Sequence, residues 1–161
     1  MHESIKIIIL GLVSAIIFGK TVFGDELGGR LGVGFGYPSL SLKYGLSSRL
    51  LVEGKGSSGE GIQVYGGRVY YNFNPKDKIV LYAGGELDSI SFNSEDEKGS
   101  GTMILGFLGA ECFISERLAL SADIGPGQIN IADSVQSNIS VSAPEWILNL
   151  GVNVYFGGKG K

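Results

Sequence analysis

Residues 145–156, Glu-Trp-Ile-Leu-Asn-Leu-Gly-Val-Asn-Val-Tyr-Phe, decide the fold. Trp146, Leu148, Leu150, Val152, Val154 and Phe156 fall on one face of a two-residue repeat, and Glu145, Asn149, Gly151 and Asn153 fall on the other. A period of two is the signature of a β-strand with unlike faces. Ordinary strands run about five or six residues, whereas a strand that crosses a bilayer needs roughly 9–11. This one is long enough to cross.

The same alternation recurs upstream. In residues 62–74, Val69, Tyr71 and Phe73 oppose Arg68, Tyr70 and Asn72; in 79–93, Ile79, Leu81, Ala83 and Leu87 oppose Tyr82, Gly84, Glu86 and Asp88. In 102–114, Ile104, Leu108, Ala110, Cys112 and Ile114 oppose Gly109 and Glu111, although Met103, Leu105 and Phe107 make the second face less polar. In 118–131, Leu118, Leu120, Ala122 and Ile124 oppose Ser121 and Asp123 until Gly125-Pro-Gly127, where proline fits a bulge or a strand end. Shorter alternations near the N-terminus place Leu31, Val33 and Phe35 against glycines, Leu40, Leu42 and Tyr44 against Ser41 and Lys43, and Leu50 and Val52 against Glu53. A turn at Tyr37-Pro38-Ser39 makes eight strands; a mere bend there makes seven. Eight is preferred, because short turns at 45–48, 74–78 and 115–117 then alternate with longer loops at 55–61, 94–101 and 132–143.

A soluble antiparallel sheet hides its apolar face and exposes many charges. Here the second face is mostly Gly, Ser, Asn and Tyr with isolated charges, and only 18% of the chain is charged. A barrel in lipid reverses the arrangement, with apolar side chains outward and polar ones inward. The interior of eight strands is just wide enough for side chains to fill, which suits 27 glycines in 161 residues.

The first two dozen residues read differently. Lys6 precedes an almost wholly apolar run over residues 7–19, and Val22-Phe23-Gly24 supplies small residues at −3 and −1 of a cut. That is the plan of a secretory signal peptide, too short to span as a helix. The expected division is a signal at 1–24 and an outer-membrane barrel with a short tail at 25–161. Because His2 is the sole histidine, the mature chain would have none. Histidine is the usual general base and the commonest transition-metal ligand, so Ser-His and Cys-His chemistry is excluded from it. Lone Cys112 excludes an internal disulfide. A net charge of −3, with basic residues scattered, argues against a nucleic-acid partner.

The run from Gly29 to Phe156 resembles the small outer-membrane β-barrel superfamily that includes the membrane domain of outer membrane protein A. The resemblance implies an eight-stranded up-and-down transmembrane barrel in the outer membrane of a diderm bacterium, in contact with outer-membrane lipid. It also implies handling by the barrel-assembly machinery, which reads a terminal aromatic in this family; Tyr155-Phe156 matches in type, while residues 157–161 extend past it. Barrel enzymes that remove or transfer acyl groups rely on a histidine that the mature chain lacks.

Lys43, Glu53, Arg68, Glu86, Asp88, Glu111 and Asp123 are the expected interior polar network. Ionisable groups taken out of water must be paired, and five carboxylates against two bases call for pairing with Arg30 or Arg49, protonation, or a solvated rim. Glu86 and Asp88 have a spacing that paired-carboxylate catalysis could use, but ion pairing is the simpler role. Tyr71, Phe73, Trp146 and Phe156 are candidate membrane-interface aromatics, with Tyr70, Tyr82 and Tyr155 as further possibilities. The acidic stretch at 94–97 lacks calcium-loop spacing, and Gly54-Lys-Gly-Ser-Ser-Gly59 lacks the phosphate-loop pattern and reads as a flexible hairpin. No catalytic, cofactor or metal site is expected. The function expected is structural or surface-directed, with recognition borne by loops; the rivals are a narrow porin or transport channel and a soluble periplasmic β protein holding an apolar ligand.

Overall fold

The computed structural model describes residues 27–36, 39–59, 61–93, 98–133 and 140–157. The expected signal segment, residues 94–97 and the last four residues lie outside them. Eight antiparallel strands follow one another around a closed barrel: β1 (Leu31–Gly36), β2 (Leu40–Gly45), β3 (Leu50–Gly59), β4 (Ile62–Asn72), β5 (Ile79–Asn93), β6 (Lys98–Phe113), β7 (Leu118–Asp133) and β8 (Ser140–Phe156). Leu31 pairs with Tyr44 on β2 and with Phe156 on β8, so β1 closes the wall and the count is eight.

Following paired residues once around the wall fixes its geometry. The path leaves β8 at Val152, passes Phe35, Leu40, Gly56, Tyr65, Ser89, Thr102 and Asn130, and returns to β8 at Ser142, ten residues away. With strands about 4.8 Å apart and about 3.4 Å of rise per residue, that stagger tilts them by about 40°. Such a barrel has room for side chains and little else.

Burial follows the two-residue repeat, with the usual faces exchanged. Leu108, Leu148, Leu150 and Trp146 point outward, Trp146 being 74% exposed, whereas Arg68, Glu86 and Asp123 are buried inside. The outward apolar stretch of β8, Trp146 to Phe156, rises about 26 Å at this tilt, close to the roughly 25 Å apolar band of a membrane barrel.

Several expected loops are strand. β3 runs through Gly59, so the stretch read as a flexible hairpin is wall; β6 begins at Lys98, and β7 and β8 extend to Asp133 and back to Ser140. Beyond the apolar band these extensions change polarity: Ser89, Ser91, Thr102 and Gln128 are exposed, while Ile90, Phe92, Met103 and Ile129 are half-buried. Above that level the strands behave like a sheet in water.

Pro126 does not end β7. Its neighbours pair with β8 without a break, Gly125 with Ile147 and Pro126 with Trp146. On the other side the ladder to β6 passes from Leu105–Gly127 to Leu108–Ile124 with no pairs between. Proline has no N–H to give, and β7 comes so close to β6 that a Cβ on Gly125 would strike the Gly106 carbonyl. Overpacking of this kind costs about 1–3 kcal/mol. Gly125→Val should lower the denaturant midpoint of the refolded protein by a corresponding amount, whereas Gly54→Val, where a Cβ meets nothing within 4 Å, should change it little.

Candidate functional site

The interior is built from alternate positions of neighbouring strands. Lys43 comes from β2, Glu53 and Lys55 from β3, Arg68 and Tyr70 from β4, and Tyr82, Glu86 and Asp88 from β5; Glu111, Asp123 and Asn149 come from β6, β7 and β8. All seven expected network residues are buried.

Arg68 ties opposite sides of the wall. Its Nε lies 2.8 Å from Glu86 Oε2, and its Nη2 donates to Asp123 Oδ1 at 2.7 Å. The guanidinium stacks over Phe107, 4.0 Å from the ring centroid, in a cation–π contact. Asp123 also accepts from Asn149 Nδ2 at 2.9 Å and from the Tyr82 hydroxyl at 3.2 Å.

Lys55 completes the upper part of this network. It hydrogen-bonds Glu86 and lies 3.0 Å from Asp88. The glycines and serines of 55–61 read as a loop and hide it; two-residue counting from Glu53 places it inward. Opposite Asp88 stands Gly66, where a Cβ would collide with the Asp88 carboxylate.

Nearer the short turns, Glu111 accepts the Tyr155 hydroxyl at 2.9 Å and Asn153 Nδ2 at 2.6 Å, with Lys43 Nζ at 3.9 Å. The Tyr70 hydroxyl hydrogen-bonds Glu53. Below them Leu51, Val80, Phe113 and Ala119 form an apolar layer. Arg30 is also buried and donates from Nη2 to the Glu116 carbonyl at 2.7 Å, whereas Arg49 faces outward and donates to the Tyr71 hydroxyl. The interior cations are therefore Arg30, Lys43, Lys55 and Arg68, against Glu53, Glu86, Asp88, Glu111 and Asp123. The imbalance read from sequence largely closes.

Tyr71, Phe73, Trp146 and Phe156 are exposed on the outer wall, and the Tyr71 and Phe73 rings meet edge-on at 5.6 Å. Tyr70, Tyr82 and Tyr155 point inward instead, where their hydroxyls donate to carboxylates. Ring chemistry suggested a girdle for these three; strand parity decides otherwise.

The arrangement is suited to cross-linking strands by charge. Among the described residues no group of three His, Cys, Asp or Glu side chains is placed to hold a metal ion. Removing one member of a buried ion pair costs about 3–5 kcal/mol, because its partner stays buried and uncompensated. Arg68→Leu should lower unfolding free energy by about that amount in urea titrations of the refolded protein. A triple variant that also carries Glu86→Gln and Asp123→Asn should recover much of the loss.

Against known proteins, the sequence model of the outer membrane protein beta-barrel domain family matches residues 14–156. The N-terminal β-barrel domain of Pseudomonas aeruginosa OprF, a solved structure, is similar at 14% identity over 79% of this chain and 94% of that one, with a TM-score of 0.49. None of the curated proteins matches. With the family model covering the strands from β1 to the end of β8, this chain belongs to the outer membrane protein beta-barrel domain family.

Proposed function

We propose that the protein is an integral outer-membrane barrel of a diderm bacterium, exported through a signal peptide cleaved after Gly24, with a structural or surface-directed and non-enzymatic role. The observation that carries this reading is the outer wall: on β8 the apolar side chains from Phe156 to Trp146 span the height of a hydrocarbon core, and polar side chains replace them beyond. Tyr71, Phe73 and Phe156 then mark one headgroup level and Trp146 the other. The connections 46–49, 73–78 and 114–117 and both ends of the described chain face the periplasm, leaving the strand extensions beyond the apolar band to meet whatever lies outside the cell. Phe156, outward where Tyr155 is inward, is the terminal aromatic available to the assembly machinery.

A narrow porin is the weaker alternative, since Arg68 bridging Glu86 and Asp123 occupies the middle of the lumen. A soluble protein with an interior apolar ligand fits less well still, because the large apolar side chains of the wall face out.

Gel mobility with and without boiling tests the reading. The folded protein from outer-membrane fractions should migrate differently before heating. Recovery in the soluble periplasmic fraction, with no shift, would sink it. Leu150→Arg should cost about 2–4 kcal/mol in lipid vesicles if that position sits near the midplane, and planar-bilayer recordings should show no steady conductance.

A further inference from the structure

The arginines of the barrel divide between its inside and one of its ends. Arg30 and Arg68 are buried, whereas Arg49 and Arg117 are exposed in the connections 46–49 and 114–117. At the opposite limit of the apolar band the exposed side chains Gln63, Ser89, Thr102 and Gln128 are uncharged.

Arg49 is folded back against the outer wall. Its turn is held in place: Ser47 Oγ accepts from the Arg49 and Leu50 N–H groups at 3.3 and 3.0 Å, and the Arg49 carbonyl accepts from the Asn72 N–H at 2.8 Å. From there Nη1 donates to the Tyr71 hydroxyl at 3.0 Å. Tyr71 is the ladder partner of Leu50 and stands beside Phe73, and all three are exposed at the lower limit of the band. Among the described residues no carboxylate pairs with Arg49, so the rest of its fork is open, as is the proton of the Tyr71 hydroxyl. Such a fork matches the oxygens of a phosphate. The adjacent connection adds Lys76 and Lys78 against Asp77, which leaves this side of the rim net positive.

The wall above Tyr71 carries a furrow. Up the β3–β4 ladder the outward pairs are Leu50–Tyr71, Val52–Val69 and Gly54–Gly67. A Cβ on Gly54 would meet nothing within 4 Å, and one on Gly67 only the Glu53 carbonyl at 3.7 Å. The same row continues to Leu42 on β2 and Leu87 on β5, which are 59% and 60% exposed. Two bare positions thus lie between two protruding leucines, about 14 Å along the strand from Tyr71.

We propose that this face of the barrel binds one anionic phospholipid, with its phosphate on Arg49 and Tyr71 and an acyl chain in the furrow between Leu42 and Leu87. The two features share one ladder and suit the two halves of one molecule. Inorganic phosphate has the chemistry to meet Arg49 as well, but only a lipid uses the furrow. Lys76 and Lys78 favour a headgroup of net negative charge over a zwitterion. The proposal rests on the transmembrane reading above.

Native mass spectrometry of the detergent-folded barrel tests it, with dimyristoyl phosphatidylglycerol, dimyristoyl phosphatidylcholine and inorganic phosphate as probes. One phosphatidylglycerol should be retained per barrel, with phosphatidylcholine held about tenfold less tightly and phosphate alone not retained. Arg49→Gln should weaken the adduct by about tenfold, and Gly67→Leu, which fills the furrow, by a similar factor. Arg117→Gln removes the same charge from a different turn and should leave it unchanged. Each variant is scored where the heat-dependent gel shift is kept, so that either of the first two serves if the other does not fold. Equal retention of the two lipids, retention of phosphate alone, an adduct unchanged in a folded Arg49→Gln or Gly67→Leu variant, or an equal loss in Arg117→Gln would each overturn the proposal. Loss of the gel shift in the parent protein would instead overturn the membrane reading on which it stands.

Discussion

The guanidinium of Arg68 lies between Glu86 on the adjacent strand and Asp123 on a strand across the lumen, with the Phe107 ring beneath it. A charge there cannot reach bulk water, so it persists only if acids come to it from both sides. The rest of the interior follows from that demand. Asp123 recruits Asn149 and Tyr82, and Glu86 brings Lys55, which in turn holds Asp88. Strands far apart in sequence are thereby held at fixed separation by ionic contacts that a ladder of backbone hydrogen bonds alone would not supply.

The outer surface obeys a different solvent. Along β8 the apolar side chains stop at Trp146, and along β5 they stop at Leu87, after which Ser89, Ser91 and Asn93 face out and Ile90 and Phe92 turn in. A single strand therefore carries two opposite polarity rules, one suited to lipid and one to water. The boundary between them is written in the sequence as an exchange of parity rather than as a loop.

That exchange explains what the sequence made legible. Long alternations in β4, β5, β7 and β8 fix strand identity and which face looks inward, and all seven network residues follow from parity alone. Where parity and composition disagreed, composition misled: Tyr70, Tyr82 and Tyr155 look like interfacial rings, yet they sit inside as hydrogen-bond donors. Lys55 was hidden by glycine and serine neighbours that resemble a loop, although they are strand. The pairing of Arg68 with Asp123 joins residues 55 apart, and no local pattern reports it, because it depends on stagger around the whole wall. Proline at 126 is read locally as a break, but a chain that comes close to its neighbour through Gly125 and Gly106 absorbs the missing donor without one.

The seam between β1 and β8 joins Leu31 to Phe156, the first strand to the last. Every other pairing links strands consecutive in the chain, and can form as soon as the second of the two exists. This one has to wait for β8, and contacts so distant in sequence are slow to form because the intervening chain must be brought together first. Until the last strand arrives the molecule is an open sheet with two bare edges, each a template for pairing with another chain. Closure thus depends on β8 alone: a chain lacking that strand would keep both edges open to other chains.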